Sequence, residues 1–397
     1  MHTENSIESV SINNARLIVD WEDGQRQTME PILFKHSPGF PGAARPAGPN
    51  GRFSTASSQL SIKLAELTSD GDVRLLWQPE DVVSVHQAKW IQESHPFDHA
   101  PELIWPKNTV LWNAELAKNF SNYDFSTLSE SELARMEIFN QMLDSGVGVV
   151  SNVPNSNAAV ETIAGWFGQI PPNPYADDES NPMLASIRVD SDQSVATSMC
   201  HFLGPHTDTC WRQTLVGLLL MHCLKAHPSG GRSLLVDGFM VADRLRETDE
   251  AAFELLSTVP INFGSKVGEQ DDWRVWGRVI SVTANGAIQG IRYNGNSIGH
   301  LELPSHLIAP MYRALEQFES ILYDRDLWWQ PMLQPGETLV IDNQRILHGR
   351  ESFDPTTGER HLLTCSVDRD DFHNNYRRIA KRVGSERWNH QLSAGVI

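Results

Sequence analysis

Short apolar segments recur along the chain and are separated by residues that favour turns. Residues 15–21 alternate between apolar and polar positions, and residues 60–77 provide two further apolar segments around a turn sequence at residues 69–72. Alternation with a period of two is typical of a strand that buries one face against a core. The pattern therefore predicts that the first hundred residues are rich in β-strands.

Both helices and strands are predicted farther along the chain. Helical spacing of apolar residues predicts helices at residues 128–145, 158–167, 241–258 (two helices) and 307–323. Apolar runs of strand length occupy residues 146–150, 215–224, 233–238, 273–282, 287–293 and 338–341. Residues 170–198 are predicted to be irregular, and residues 328–332 to open a strand. Together these elements predict a mainly β protein with flanking helices, in the α+β class.

A proline-rich stretch separates the two parts of the chain. Pro96, Pro101 and Pro106 lie close together, and a chain of 397 residues is long enough for two domains. We therefore predict a small β-rich N-terminal domain at residues 1–98 and a larger domain at residues 99–397. The first domain contains no catalytic constellation, which favours a role in packing or dimerisation.

Composition excludes several classes of partner. The formal net charge is −18, and an acidic surface of this kind argues against binding to nucleic acid or anionic lipid. No apolar run approaches the roughly 20 residues needed to span a bilayer, and the polar N-terminus does not resemble a signal peptide. The four cysteines form no C-x-x-C pair, which favours buried free thiols and a cytoplasmic location.

The candidate chemistry lies in the larger domain, at His206 and Asp208. Alternate residues of an extended segment point to one side, so this imidazole and carboxylate could occupy adjacent positions of one metal. His348 follows the apolar strand at residues 338–341 and is the best candidate for a third ligand. Two histidines and one carboxylate are the facial triad of non-haem Fe(II) oxygenases. His-x-Asp also occurs by chance, and a single histidine is more often a packed or surface residue.

Arg360 strengthens the oxygenase interpretation. Such an enzyme needs a cation near the iron for the distal carboxylate of 2-oxoglutarate, and the planar guanidinium binds a carboxylate through two hydrogen bonds. Metal ligands at the ends of many strands indicate a double-stranded β-helix, a form of jelly roll. A cupin-like metal hydrolase or isomerase is an alternative, but it needs no clamp for 2-oxoglutarate, so Arg360 with Ser233 argues against it. A non-catalytic binding protein is a second alternative, and the intact triad argues against it.

Several blocks resemble the γ-butyrobetaine hydroxylase and trimethyllysine hydroxylase group of the taurine-dioxygenase-like Fe(II)/2-oxoglutarate oxygenases. The resemblance covers nearly the whole chain, more loosely in its N-terminal part. The blocks that carry it are His206-Thr207-Asp208, residues 220–224, residues 230–239 and residues 342–350.

This resemblance implies a function and the residues that perform it. His206, Asp208 and His348 match the iron ligands, and Arg360 and Ser233 match residues that contact the distal carboxylate of 2-oxoglutarate. The implied reaction uses O₂ to oxidise, by hydroxylation, an unactivated C–H bond of a small metabolite, and yields succinate and CO₂. Desaturation, epoxidation or rearrangement of a secondary-metabolite intermediate is an alternative with the same cofactors. The family also implies a homodimer formed through the N-terminal domain.

The chain departs from the family where relatives bind zinc. They hold the metal with a cysteine cluster and a histidine, whereas residues 36–41 contain no cysteine. Zinc sites of this kind depend on thiolate and imidazole ligands. We therefore expect no structural zinc.

The second departure concerns the aromatic cage that surrounds a trimethylammonium group in the family. Tyr175 matches one cage position, whereas the others fall on Glu179, on Thr197 or Ser198, and on Ser366. Loss of these rings would weaken cation–π attraction for a quaternary ammonium. The further candidates for substrate contact are Trp211, Arg292 and Asn294.

Overall fold

The computed structural model describes residues 6–35, 37, 39–41, 61–79, 81–94, 109–173, 176, 180–189, 200–265, 272–283 and 286–385. The chain divides into two compact units, Met1–Ile104 and Trp105–Ile397. The predicted boundary between residues 98 and 99 lies a few residues before this division.

Two antiparallel sheets of three strands form the N-terminal unit. Their strands are β1 (Ile7–Asn13), β2 (Arg16–Trp21), β3 (Arg26–Met29), β4 (Ser61–Leu67), β5 (Val73–Gln78) and β6 (Val83–His86). Two short helices accompany them, α1 (Pro31–Lys35) and α2 (Ala88–Ser94). Alternate residues of β2 and β5 are buried, and Trp21 and Trp77 belong to the core of this unit. The strands predicted in this part of the chain are confirmed.

The larger unit contains a six-stranded sheet and a three-stranded sheet. The six-stranded sheet has the order β7 (Asn122–Asp124), β8 (Val147–Ser151), β17 (Thr338–Asp342), β11 (Leu218–Lys225), β19 (Arg360–Val367) and β9 (Ala185–Val189). The three-stranded sheet has the order β10 (Leu203–His206), β18 (Ile346–Arg350) and β12 (Ser233–Asp237). Two hairpins complete the strands, β13 (Ile261–Ser265) with β14 (Trp273–Gly277), and β15 (Ile280–Val282) with β16 (Ile288–Ile291).

Side-chain alternation along β11 shows how the sheets form layers. Leu219 and Met221 point to one side and join a core with Leu235 of the smaller sheet, so the two sheets pack face to face. Leu218 and Leu220 point to the opposite side, into a separate core with helices. The arrangement is the jelly roll with flanking helices that the sequence predicted, and the ends of its strands carry the candidate ligands.

Helices cover the outer faces of both sheets. Those of the larger unit are α3 (Ala114–Ala117), α4 (Phe125–Glu130), α5 (Glu132–Ser145), α6 (Asn157–Phe167), α7 (Gly238–Thr248), α8 (Glu250–Thr258), α9 (Ser305–Leu322) and α10 (Arg369–Val383). Two 3₁₀ turns, Gly295–Ser297 and Arg325–Leu327, add to these. The pair of helices predicted at residues 241–258 is confirmed, as is the long helix predicted at residues 307–323.

The single helix predicted at residues 128–145 is wrong, because the chain forms two. Ser131 between α4 and α5 has an extended backbone, and its hydroxyl accepts a hydrogen bond from the Ala134 N–H. A serine in this position satisfies a free N–H group at the start of a helix. The cap therefore starts α5 and interrupts the helical pattern.

Tertiary pairing also overturns two predictions about strands. Residues 170–198, predicted to be irregular, contain β9, which pairs with β19 at the edge of the larger sheet. Residues 328–332, predicted to open a strand, form only an isolated bridge between Trp329 and Leu235. In both cases the availability of a partner strand, rather than local hydrophobicity, decided whether a strand formed.

All four cysteines, Cys200, Cys210, Cys223 and Cys365, are buried thiols, as predicted. Among the described residues, no helix combines the length and the apolar character required to cross a membrane.

Candidate active site

The smaller sheet brings two candidate ligands side by side. In the antiparallel pairing of β10 with β18, His206 lies opposite His348, and Asp208 follows just after the end of β10. The strands approach closely here, since a Cβ atom added to Gly349 would lie 2.4 Å from the Leu203 carbonyl oxygen. A glycine next to His348 therefore permits the pairing that brings the histidines together.

Three ligand atoms converge at this point. One ligand atom from each of His206, Asp208 and His348 lies within 4.8 Å of the other two, and no comparable cluster occurs elsewhere in the described ranges. Asp208 Oδ1 lies 3.3 Å from His206 Nε2, and Asp208 Oδ2 lies 3.7 Å from His348 Nε2. The structure therefore brings together the three residues that the sequence analysis selected.

The hydrogen bond of His206 determines which nitrogen faces the cluster. His206 Nδ1 lies 2.9 Å from the Gly204 carbonyl oxygen and donates its proton there, because a carbonyl can only accept. In the neutral imidazole, this leaves Nε2 with a lone pair directed at the cluster. The Nδ1 of His348 is buried without a hydrogen-bond partner among the described residues.

Burial and mutual charge govern the protonation of the cluster. Burial opposes ionisation of Asp208, but the charges of His348 and His206 outweigh it and lower the pKa of Asp208 to about 2. Burial and the charge of His206 lower the pKa of His348 to about 4. For His206, burial acts in the same direction, but the hydrogen bond with Asp208 prevails and raises the pKa. Asp208 is therefore a carboxylate at neutral pH.

Hydrogen bonds with Tyr293 and with Asn343 hold the backbone at Thr207 and at Asp208. The Thr207 N–H donates to the Tyr293 carbonyl oxygen at 2.7 Å, and the Tyr293 N–H donates to the Thr207 hydroxyl at 3.0 Å. The side chain of Asn343 contacts the peptide groups on both sides of the Asp208 α-carbon. The sequence analysis assigned no role to Asn343.

Arg360 and Ser233 share one small cavity, as their predicted common role requires. The other walls include the apolar side chains of Cys223, Met332, Leu333 and Leu362. Arg360 is 7% exposed, and its Nε donates to the Gly231 carbonyl oxygen at 3.2 Å. Burial and the charge of Arg350 lower the pKa of Arg360 to about 10, so its guanidinium stays charged at neutral pH.

Arg350 is a second buried cation next to this cavity, and the sequence analysis did not select it. It lies opposite Ser233 in the pairing of β12 with β18 and follows His348 by two residues. Its Nη2 donates to the His201 carbonyl oxygen at 2.8 Å, while its Nε has no hydrogen-bond partner within the described residues. Two buried guanidinium groups, those of Arg350 and Arg360, therefore lie at or next to the cavity that Ser233 lines.

The predicted substrate residues lie in different surroundings. Tyr175, Glu179 and Thr197 fall outside the described residues. Trp211 is 5% exposed and lies beside Trp273 with a ring-centroid distance of 5.5 Å, and the Arg212 guanidinium lies over both rings.

Arg292 and Asn294 contact backbone groups. Arg292 is buried, and its terminal nitrogens donate to the carbonyl oxygens of Cys210, Arg212 and Gln213. It braces the loop that follows Asp208. The Asn294 side chain accepts a hydrogen bond from the Asn296 N–H and caps a 3₁₀ turn.

Comparisons with known proteins agree over most of the chain. The model of the taurine catabolism dioxygenase TauD, TfdA family matches residues 107–366. The mitochondrial trimethyllysine dioxygenase of Rattus norvegicus is 30% identical over 332 residues, which cover 81% of this chain and 76% of that protein. The γ-butyrobetaine dioxygenase of Pseudomonas sp. (strain AK-1) is 28% identical over 324 residues, which cover 80% of this chain and 82% of that protein.

Among solved structures, a taurine dioxygenase from Burkholderia xenovorans matches with a TM-score of 0.47 and 10% identity. The matched region covers 58% of this chain and 79% of the Burkholderia chain. The family model includes His206, Asp208, His348 and Arg360 in its matched range. On the family match and on identity across most of both chains, this protein belongs to the TauD/TfdA family and is an Fe(II)- and 2-oxoglutarate-dependent dioxygenase of a small metabolite.

Proposed function

We propose that His206, Asp208 and His348 hold Fe(II), and that Arg360 and Ser233 hold the distal carboxylate of 2-oxoglutarate. The observation that carries the proposal is the convergence of two imidazole nitrogens and one carboxylate oxygen within 4.8 Å of one another. Two histidines and one carboxylate on one side of a metal leave other positions free for cosubstrates. Family membership supports the same assignment.

The donor set fits a divalent iron. The Gly204 carbonyl fixes the His206 tautomer that leaves Nε2 available, and hydrogen bonds of this kind commonly orient metal-bound histidines. The carboxylate of Asp208 is ionised and lies between the two imidazoles. The bound iron, with 2-oxoglutarate and O₂, would supply the oxidising power for attack on an unactivated C–H bond, with succinate and CO₂ as co-products.

The protein contributes binding and the exclusion of water. The guanidinium of Arg360 can bind a carboxylate through two charge-assisted hydrogen bonds, and the hydroxyl of Ser233 can donate a third. The apolar walls at Met332, Leu333 and Leu362 limit access of water to these groups. An ionic contact is stronger in such surroundings than in bulk water.

We propose that the substrate is a small metabolite and that the reaction is hydroxylation, with desaturation, epoxidation or rearrangement as the alternative. The relatives are named for trimethyllysine and γ-butyrobetaine. Ser366, where an aromatic cage residue is expected, is 8% exposed and lies opposite Leu219 in the larger sheet. A hydroxyl at this position lacks the ring face that attracts a quaternary ammonium. This difference favours a substrate other than a trimethylammonium compound.

The N-terminal unit is proposed to bind no structural zinc. His86 is 1% exposed, and hydroxyl groups contact both of its ring nitrogens, Ser37 at Nδ1 (2.8 Å) and Ser84 at Nε2 (2.7 Å). A histidine whose two nitrogens are both hydrogen-bonded has no free lone pair for a metal. Metal analysis of protein purified without chelator tests this proposal, and one tightly held zinc per chain would contradict it.

The homodimer and the cytoplasmic location remain proposals. Leu64, Leu76 and Val83 form a row across the outer face of the second N-terminal sheet, and Leu64 and Val83 are exposed. This row supports association through the N-terminal unit. Light scattering coupled to size-exclusion chromatography gives the mass in solution, and a monomer at micromolar concentration would contradict the dimer.

An anaerobic titration tests the proposed function. Fe(II) and then 2-oxoglutarate are added to metal-free protein, and the visible absorption of the iron–2-oxoglutarate chelate is recorded. We expect a weak charge-transfer band that is absent from Asp208→Ala. If the unsubstituted protein binds Fe(II) and 2-oxoglutarate and yields no band, the assignment of this site is wrong.

The same sample can then identify the substrate class. γ-Butyrobetaine, trimethyllysine and neutral or anionic analogues are added in turn, and a shift of the band reports binding near the metal. We expect no shift with the trimethylammonium compounds. A shift with either of them would contradict the proposal about Ser366 and would mean that other residues rebuild the cage.

A further inference from the structure

We propose that Asn343 is a positioning residue that orients Asp208 and thereby sets the affinity of the site for a divalent metal. The inference rests on the proposed function, since it assumes that Asp208 is a metal ligand. Asn343 lies between β17 and β18, just before the strand that carries His348. Asn343 would therefore link the strand that carries His348 to the segment that carries His206 and Asp208.

The side chain of Asn343 contacts the backbone of Asp208 twice. Its Oδ1 accepts a hydrogen bond from the Asp208 N–H at 2.8 Å, and its Nδ2 donates to the Asp208 carbonyl oxygen at 3.2 Å. The two residues are 135 positions apart in the chain. A side chain that contacts the peptide groups before and after one α-carbon restricts both dihedral angles of that residue. These two angles set the direction of the Cα–Cβ bond of Asp208, so Asn343 helps to position the carboxylate that this bond carries.

Asn343 also joins this peptide to the larger sheet. Its Nδ2 makes a further donation to the Val216 carbonyl oxygen at 3.1 Å, and its backbone N–H donates to the Gly217 carbonyl oxygen at 2.8 Å. The residue is fully buried. Both polar atoms of the amide are therefore engaged, and three segments of the chain meet at one side chain.

The neighbouring side chains of the same turn contact other parts of the protein. Asp342 pairs with Arg369, and Gln344 contacts Arg369 and the Leu215 carbonyl oxygen. Arg345 forms a buried ion pair with Asp237. Within the described residues, Asn343 is the member of this turn that contacts a candidate ligand. Gln344 therefore provides a matched control, because it is buried, carries an amide and hydrogen-bonds to Arg369 and the Leu215 carbonyl oxygen, away from Asp208.

Loss of the Asn343 amide should disturb the ligand more than the fold. The segment would remain held at Thr207 by the two hydrogen bonds with Tyr293. The Asp208 peptide groups would lose their partner, and the carboxylate would no longer be held in one direction. Removal of groups that orient a metal ligand typically weakens metal binding about 10- to 100-fold.

The experiment measures Mn(II) affinity by electron paramagnetic resonance of the free ion, in the absence of 2-oxoglutarate. The full-length variants are Asn343→Leu, Asn343→Asp, Gln344→Leu and Asp208→Ala, and circular dichroism with thermal unfolding reports whether each one folds. We expect the Mn(II) Kd of Asn343→Leu to rise about 10- to 100-fold and that of Gln344→Leu to stay unchanged.

Asn343→Asp separates orientation from charge. This near-isosteric change adds a negative charge near the site, which by itself would tighten binding of a cation. It also replaces the donor to the Asp208 and Val216 carbonyl oxygens with an acceptor, which would release Asp208. We expect weaker binding, opposite in sign to the charge effect, and this variant keeps the test valid if Asn343→Leu does not fold.

The outcomes distinguish a failure of the positioning role of Asn343 from a failure of the proposed metal site. If the unsubstituted protein fails to bind Mn(II), or binds it as well as Asp208→Ala does, the metal site itself is wrong. If Asp208→Ala loses binding while a folded Asn343→Asp or Asn343→Leu binds as tightly as the unsubstituted protein, the positioning role is overturned. Equal losses in Asn343→Leu and Gln344→Leu would also overturn it, because the effect would then come from the turn as a whole.

Discussion

Three buried histidines, His86 in the N-terminal unit and His206 and His348 in the larger unit, differ in what their ring nitrogens contact. In the N-terminal unit the Ser37 hydroxyl donates to the Phe34 carbonyl oxygen at 2.7 Å, so it accepts from His86 Nδ1. The Trp77 indole donates to Ser84 at 2.7 Å, and the Ser84 hydroxyl donates to His86 Nε2. Every donor in this chain of hydrogen bonds meets an acceptor when His86 is neutral.

In the larger unit, the candidate ligands His206 and His348 have different surroundings. His206 uses only Nδ1 in a hydrogen bond to the backbone, and the Nε2 atoms of His206 and His348 face the carboxylate of Asp208. Burial is similar in the two regions, so burial alone does not distinguish a structural histidine from a ligand. What differs is whether each ring nitrogen already has a partner.

The largest expected effect comes from removal of the carboxylate. Asp208→Ala should have no measurable turnover, because the metal loses its anionic ligand. Oxygen consumption and succinate formation measure this once a substrate is known, and 2-oxoglutarate turnover without substrate measures it before then. His86→Gln is the control, and we expect it to retain turnover. Normal turnover by Asp208→Ala would contradict the proposed metal site.

A smaller effect is expected at the cavity that Arg360 and Ser233 line. Arg360→Ala should raise the apparent KM for 2-oxoglutarate roughly 100-fold, because a hydrogen bond to a charged group contributes about 1.5–3 kcal/mol. Steady-state kinetics give this value. Arg382→Ala is the matched control, since Arg382 is an exposed arginine that pairs with Glu132. An unchanged KM in Arg360→Ala would remove this residue from the site.

Loss of a hydrogen-bond partner of His86 should lower the stability of the protein and leave metal binding unchanged. Ser84→Ala leaves the Trp77 N–H and His86 Nε2 without partners, which should lower the free energy of unfolding by about 1–3 kcal/mol. Urea unfolding measures the loss, and Mn(II) titration of the same sample measures affinity. Weakened Mn(II) binding at unchanged stability would reverse the roles assigned to the two regions.

The last expected effect is on the pH dependence of stability. Burial lowers the pKa of His86 from its ordinary value near 6.5 to about 4. Between these values the unfolded chain binds a proton that the folded chain does not, so stability falls as pH decreases from about 6.5 to about 4. Urea unfolding of the unsubstituted protein and of His86→Gln at several pH values isolates this contribution. An equal decline in both proteins would exclude His86 as its source.

The sequence alone indicated the candidate site, because the proposed chemistry depends on residue types that few other sites combine. His206 and Asp208 stand two residues apart, and His348 follows an apolar strand. Apolar runs such as residues 215–224 and 338–341 predicted buried strands without knowledge of their partners, since strands covered on both faces are apolar throughout. The jelly roll and the candidate ligands followed from these local features.

Only the tertiary structure decided which polar residues support the ligands. An asparagine in a turn is common, and nothing local distinguishes Asn343 from other turn asparagines, because its partner lies 135 residues away. The same holds for β9, which has a weak strand pattern and forms because β19 offers an open edge. The sequence determined the chemical groups and the buried strands, whereas contacts between distant segments determined the partner of each group, since hydrogen bonds depend on position in space.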